Sequence, residues 1–312
     1  MKKEIKLLIY TVIILTITGA CRVQVSPSQV KKYNFIDSIQ TAQQIEELIK
    51  KIDVRYKYFD VNIDLKFPSE RCQKLSDSLK IEPWSIVDFD NNGLSDLLVV
   101  GQGGHSITCI FDKGNDKYEI KRINSSNDCT FPVVRTINKS NIIDYYYPIN
   151  TSGLDWHKPQ ISEHIILIYK FGDFIEQNLD PTEKMIEKIE YAVSGCYGPC
   201  PVFNLTIDSE KSAYWNAEMD NIINEKEFKG HYRSSIDEVH YEQIVDLLNY
   251  IDFTKLNGNY SVDWTDDQTA RLKITYNNGE TKSINDNGLI GTHGLSRLYQ
   301  LLSELRLNQE WK

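Results

Sequence analysis

Hydrophobic positions change period several times along this chain, and each change predicts an element. Between Thr41 and Ile52 the apolar residues Ile45, Leu48, Ile49 and Ile52 recur at helical spacing, behind a threonine suited to cap a helix. From Tyr58 to Phe67 the period falls to two, with Phe59, Val61, Ile63, Leu65 and Phe67 alternating, which predicts a strand with one buried face. Residues 84–174 then read as short β-branched and aromatic runs at 85–87, 96–100, 107–111, 118–123, 133–137, 142–147 and 164–171. The runs are broken at Asn91-Asn92-Gly93, Gly103-Gly104, Lys113-Gly114-Asn115-Asp116, Asn138-Lys139 and Phe171-Gly172-Asp173. Strands at this spacing predict an antiparallel meander.

Asp180-Pro181-Thr182 interrupts the pattern and marks a candidate boundary. Beyond it strands are expected at 186–193, 202–207, 212–215 and 227–232. A helix follows at 238–249, with Asp237 as cap and Val239, Ile244, Leu247 and Leu248 inward. Strands at 270–276 and 281–284 flank Asn277-Asn278-Gly279, a hairpin turn signal. Leu298, Leu301, Leu302 and Leu305 place a last helix at 295–305. The expected fold class is α+β: a β-rich antiparallel meander domain at 41–180, then an α+β domain at 183–312 with two helices on one face of an antiparallel sheet.

Composition adds an address. The 35 basic and 44 acidic residues leave a net charge of −9, which argues against a nucleic-acid partner, since phosphate backbones require a basic face. Lys2, Lys3 and Lys6 precede an apolar run from Leu7 to Ile17, too short to span a bilayer, and Thr18-Gly19-Ala20 lead into Cys21. This resembles a bacterial lipoprotein signal and lipobox. It implies a signal peptide at 1–20, acylation of Cys21 and a polar tether at 21–40 that holds the rest on the membrane outside the cytoplasm, in the cell envelope. Export also implies an oxidising compartment, where disulfides persist. Five cysteines remain beyond Cys21, so at least one is left over from pairing. Cys72, Cys109 and Cys129 can furnish one bridge, and their order along the chain does not choose the pair.

Two motifs carry candidate chemistry. In residues 88–96 Asp88, Asp90 and Asn92 offer side-chain oxygens, Leu94 its carbonyl and Asp96 a further carboxylate, with Gly93 at the turn. Oxygens at alternate positions suit a hard cation such as Ca²⁺. Val99 stands where an EF-hand needs glutamate, and strands flank the loop, which excludes an EF-hand. The string 87–100 resembles the calcium-loop hairpins of integrin-type propeller repeats, in a single copy, and implies a structural Ca²⁺. An Asx-rich turn with solvated carboxylates is the plain alternative.

The second motif is Ser194-Gly195-Cys196-Tyr197-Gly198-Pro199-Cys200-Pro201-Val202-Phe203. Two cysteines with glycine and proline between them suit a tight turn closed by a disulfide. Residues 183–308 resemble a bacterial domain-of-unknown-function family marked by Cys-Tyr-Gly-x-Cys-Pro-x-aromatic and found in envelope lipoproteins. The resemblance names a domain without naming an activity. A thiol-redox or copper-handling role for Cys196, Cys200 and distant His293 is the alternative, because thiolates plus imidazole suit copper. A redox pair usually sits at a helix N-terminus, however, and this one precedes a strand. The histidines show no helical zinc spacing, no Gly-x-Ser-x-Gly elbow occurs and Gly101-Gln102-Gly103-Gly104 lacks the lysine of a phosphate loop. Asp263, Asp266 and Asp267 cluster beside Trp264; with Trp156 and Trp215 it is a candidate sugar-facing aromatic. The reading is a non-catalytic binding or assembly module of the envelope, its partner an envelope protein or a glycan.

Overall fold

Helix α1 (Ala42–Ile52) forms where the periodicity predicts it. The Thr41 hydroxyl accepts from the Gln44 N–H, and the Gln44 side chain accepts from the Thr41 N–H in return, so two helix-end donors are satisfied. The computed structural model describes residues 33–67, 69–102, 106–123, 129–148 and 162–312. The signal peptide, Cys21, Gly103, Gly104, His105, Trp156 and His157 lie outside the described residues. Residues 33–40 are not tether. Ile36 and Ile39 are buried in the core beneath α1, and Asn34 donates to the Ser95 carbonyl and to Asp112.

The apolar face of α1 covers an antiparallel sheet of β1 (Trp84–Val87), β2 (Asp96–Val100), β3 (Ile107–Asp112) and β4 (Tyr118–Ile123), paired in chain order. Ile45, Leu48 and Ile49 meet Leu97, Val99 and Ile110 there. The opposite face, with Leu98, Cys109 and Phe111, packs on Ile143, Tyr145, Leu167 and Phe174. Those belong to a second meander: β5 (Phe131–Ile137), β6 (Ser140–Pro148), β7 (Ser162–Lys170) and β8 (Asp173–Glu176). Both faces of β2 and β3 are covered, and all their residues are buried. That is why these strands read as continuous apolar runs.

The strand expected over 58–67 does not form. Val61 makes a lone bridge to Gly101, Leu65 turns at φ 46°, and Asn62 bonds the Lys66 backbone from both ends of its amide. The alternating residues serve two cores instead of one sheet face: Phe59 and Val61 join α1, whereas Leu65 and Phe67 pack with Phe131. Helix α2 (Glu70–Leu79), unforeseen because its sequence is mostly polar, follows a Ser69 cap. Its buried Cys72 is disulfide-bonded to Cys129, which leaves Cys109 as the free, buried thiol among the described cysteines.

The second half is one large sheet covered on one side. It contains β9 (Ile186–Val193), β10 (Val202–Asp208), β11 (Ser212–Met219), the small hairpin β12 (Ile222–Ile223) and β13 (Lys226–Glu227), β14 (Gly230–Ser235), α3 (Glu238–Tyr250), β15 (Asn259–Ser261), β16 (Thr269–Tyr276), β17 (Glu280–Asn287) and α4 (His293–Asn308). The seven-stranded order is β14-β11-β10-β9-β16-β17-β15, antiparallel except for β15 beside β17. The run expected at 227–232 is split between the hairpin and β14. Asp237 caps α3 as expected, but Val239, expected inward, is 72% exposed; Ile244, Leu247 and Leu248 carry the packing.

Tyr191, Phe203, Leu205, Trp215, Leu272 and Ile274 point into the core shared with α3 and with Leu295, Leu298, Leu302 and Leu305 of α4. Ile175 of β8 belongs to that same core. Glu176, one residue on, accepts the backbone N–H groups of His293 and Gly294 at 2.6 and 2.8 Å and so caps α4. The described residues form one compact unit. Among the described residues no helix is long and apolar enough to cross a membrane.

Candidate functional site

The loop between β1 and β2 gathers the predicted cation ligands. Ligand oxygens of Asp88, Asp90 and Asp96 all lie within 4.8 Å of one another. The tight turn at Asn91 and Gly93, both at positive φ, folds the acidic residues back on themselves. Much of the loop's bonding capacity is already used. Asp88 accepts from the Asn92 and Gly93 N–H groups, and the fully buried Asp96 accepts from Phe89 and Asp112. The Asn92 side-chain oxygen accepts from the Leu94 N–H at 2.7 Å. Burial pushes the Asp96 carboxyl up to about 7, with Asp90 and Asp88 adding to it against the two backbone donors.

A positive charge comes from a residue that sequence reasoning passed over as a turn. Lys113 places its ammonium 2.8 Å from Asp90 and 3.4 Å from Glu119, over the rings of Phe111 and Tyr169. Burial works against its charge, yet the hydrogen bond to Asp90 keeps Lys113 above its ordinary value. The signal was the hairpin itself: residues 113–116 turn β3 into β4 directly beside the acidic loop.

Cys196 and Cys200 are bridged in the turn between β9 and β10, with Cα atoms 5.6 Å apart. The turn enters a strand, so no helix end activates either sulfur. His293 is placed elsewhere. It opens α4, its ring lies edge-on to Tyr145 at 5.6 Å, and its N–H is held by Glu176. Among the described residues the structure forms no ligand cluster of His293 with the two cysteines. The disulfide turn instead presents Tyr197, 91% exposed, and donates the Tyr197 N–H to the Asp266 carbonyl. That bond joins it to the acidic loop, where the half-exposed Trp264 donates to Asp267 at 2.6 Å. Trp215 is core, packed between Tyr232 and Trp311.

Residues 187–306 match the family model of DUF6438, a domain of unknown function. No curated protein and no solved structure matches the chain. The DUF6438 segment runs from β9 through most of α4, and it contains all of the seven-stranded sheet but Ile186.

Both helices of the DUF6438 segment cover one face of that sheet, and its other face is polar. Pairing register sets Asn216, Asn204, Ala192, Arg271 and Asn285 directly abreast on five adjacent strands. The next row is Tyr214, Thr206, Glu190, Lys273 and Ser283. A depression of about 530 Å³ lies over four of these five strands, lined by Asn204, Ala192, Arg271 and Asn285 among others and by Gly258. Lys273 lies 3.7 Å from Glu190, whereas the guanidinium of exposed Arg271 has no hydrogen-bond or ion-pair partner among the described residues. Sequence reasoning missed this surface. Its signal was the polar alternate of each strand, visible as the buried-to-open alternation of β9, β10 and β16.

Proposed function

We propose that this protein is a non-catalytic binding module of the cell envelope, exported and anchored through acylated Cys21, and that the open face of its large sheet is the binding surface. One observation carries the reading: two rows of side chains, polar apart from Ala192 and exposed or half-buried, stand on a sheet whose other face is packed against helices. A site built on paired strands is preorganised, so binding costs little ordering entropy. Two alleles test it. Cys21→Ala is expected to abolish fatty-acid labelling and release the protein from membranes. Arg271→Glu is expected to remain membrane-bound but to stop co-sedimenting with isolated envelope material after detergent extraction. Unchanged co-sedimentation would place binding elsewhere.

A structural Ca²⁺ on Asp88, Asp90, Asn92, the Leu94 carbonyl and Asp96 belongs to the same proposal. The convergence of three carboxylates supports it. Lys113 competes for Asp90, so the ion is expected to bind only in the range of roughly 10⁻⁴–10⁻³ M that suits extracellular modules. Its place next to the β1–β2 turn, remote in sequence from the DUF6438 strands, gives it a stabilising role.

A further inference from the structure

We infer that the open face of the DUF6438 sheet takes an extended polysaccharide carrying carboxylate groups; this rests on the proposed binding role of that face. Geometry comes first. Adjacent strands lie about 4.8 Å apart, so the row from Asn216 to Asn285 runs roughly 19 Å at right angles to the strands. One strand spacing is close to the length of one sugar unit in an extended glycan. The row therefore offers one side chain per unit; the amides of Asn204 and Asn216 each donate once to Glu218 and that of Asn285 once to Asn259, which leaves each a second N–H and a carbonyl oxygen for hydroxyl groups.

Charge selects among glycans. The chain as a whole carries −9, and this face is mixed: Lys188 and Lys273 lie against Glu190, Glu218 is held by the Asn204 and Asn216 amides, and the Arg271 guanidinium has no carboxylate partner among the described residues. Arg271 presents a guanidinium fork with no internal partner, the geometry that matches a carboxylate bidentately. Ala192, between Asn204 and Arg271, leaves room for a ring to settle. At one end of the same strands, the stapled turn and its hydrogen-bonded neighbour loop expose Tyr197 and Trp264, rings of the kind that stack on sugar faces.

The test is affinity electrophoresis of the full lipidated chain in detergent, through gels containing polygalacturonate or, as the neutral control, dextran. Polygalacturonate is expected to retard the protein at concentrations at least tenfold below those at which dextran acts. Arg271→Glu and Ala192→Trp should each weaken that retardation tenfold or more with an unchanged urea midpoint. Lys74→Glu, the same charge change on α2, should leave it unchanged. The inference is overturned by equal behaviour in the two polymers, by no retardation in either, or by equal loss in Lys74→Glu. If Arg271→Glu still abolishes envelope co-sedimentation in any of those cases, the binding face stands and only the glycan assignment falls.

Discussion

Removing each disulfide separately distinguishes a fold staple from a local clamp. The Cys72–Cys129 bridge closes a sequence separation of 57, and the Cys196–Cys200 bridge one of 4. Loop-closure entropy in the unfolded chain then gives ~4 kcal/mol for the long loop and ~2 kcal/mol for the short one. The long bridge also fastens α2 to the start of β5, where Cys72 and Cys129 are buried with Ile81, Val100 and Phe131. Alanine at both positions keeps that environment apolar, so the change acts mainly through the unfolded state. The assay is urea unfolding of the Cys72→Ala/Cys129→Ala and Cys196→Ala/Cys200→Ala double variants beside the parent, with melting temperatures as a second reading. At about 2 °C per kcal/mol for a unit of this size, the two variants should melt roughly 4 °C apart, the long-loop variant lower. A short-loop variant as destabilised as the long-loop one would refute the reasoning, and would mean that the Tyr197 turn is integral to the core.

About 5 mM Ca²⁺ is expected to add ~1–2 kcal/mol of stability, reversed by EGTA and absent in Asp90→Ala, while Lys113→Met should bind the ion more tightly by calorimetry. Glu176→Ala strips the acceptor from two N–H groups at the start of α4, and should cost ~1–3 kcal/mol in urea unfolding. Gly294→Ala would set a Cβ 2.5 Å from the Ile251 Cγ2 atom and should cost ~1–3 kcal/mol by overpacking. Burial, opposed by Lys121, holds the Asp173 carboxyl above its ordinary 3.8, so the stability it contributes is complete below that value and is lost as pH rises through the raised one. Urea midpoints of Asp173→Asn should therefore decline less steeply above about pH 4 than those of the parent, and parallel curves would show that this carboxyl titrates normally.

Most elements were legible because their periodicity and their burial agree. Helix α1 has a one-sided apolar stripe and a capping box, and it forms at the expected residues. The 58–67 segment failed because its alternating side chains divide between two cores, a tertiary fact that period two cannot express. Helix α2 escaped notice because a disulfide and a short apolar cluster hold it, in place of a long hydrophobic stripe. The convergence of Asp88, Asp90 and Asp96 was legible, since all three lie within nine residues of chain. Lys113, which shares the cluster with them, comes from a different turn, and its proximity depends on how β2 pairs with β3.

The binding face was hidden for a deeper reason. Asn204, Asn216, Arg271 and Asn285 are ordinary open-face residues on four strands, and none stands out in its own segment. Register makes them a row. Arg271 pairs with Ala192 on one side and Asn285 on the other, and Leu272, the next residue, pairs with Tyr191 and Ile284 on the buried face. A slip of one residue in β16 would expose Leu272 and bury Arg271, exchanging apolar burial for an unpaired buried charge. The core that α3 and α4 complete on the covered side thus enforces the alignment of the polar side chains on the open side. Variants that loosen that core, such as Leu302→Ala at ~2–5 kcal/mol, are expected to reduce stability before they alter the row, because backbone pairing and the remaining buried side chains still hold the register that the core selects.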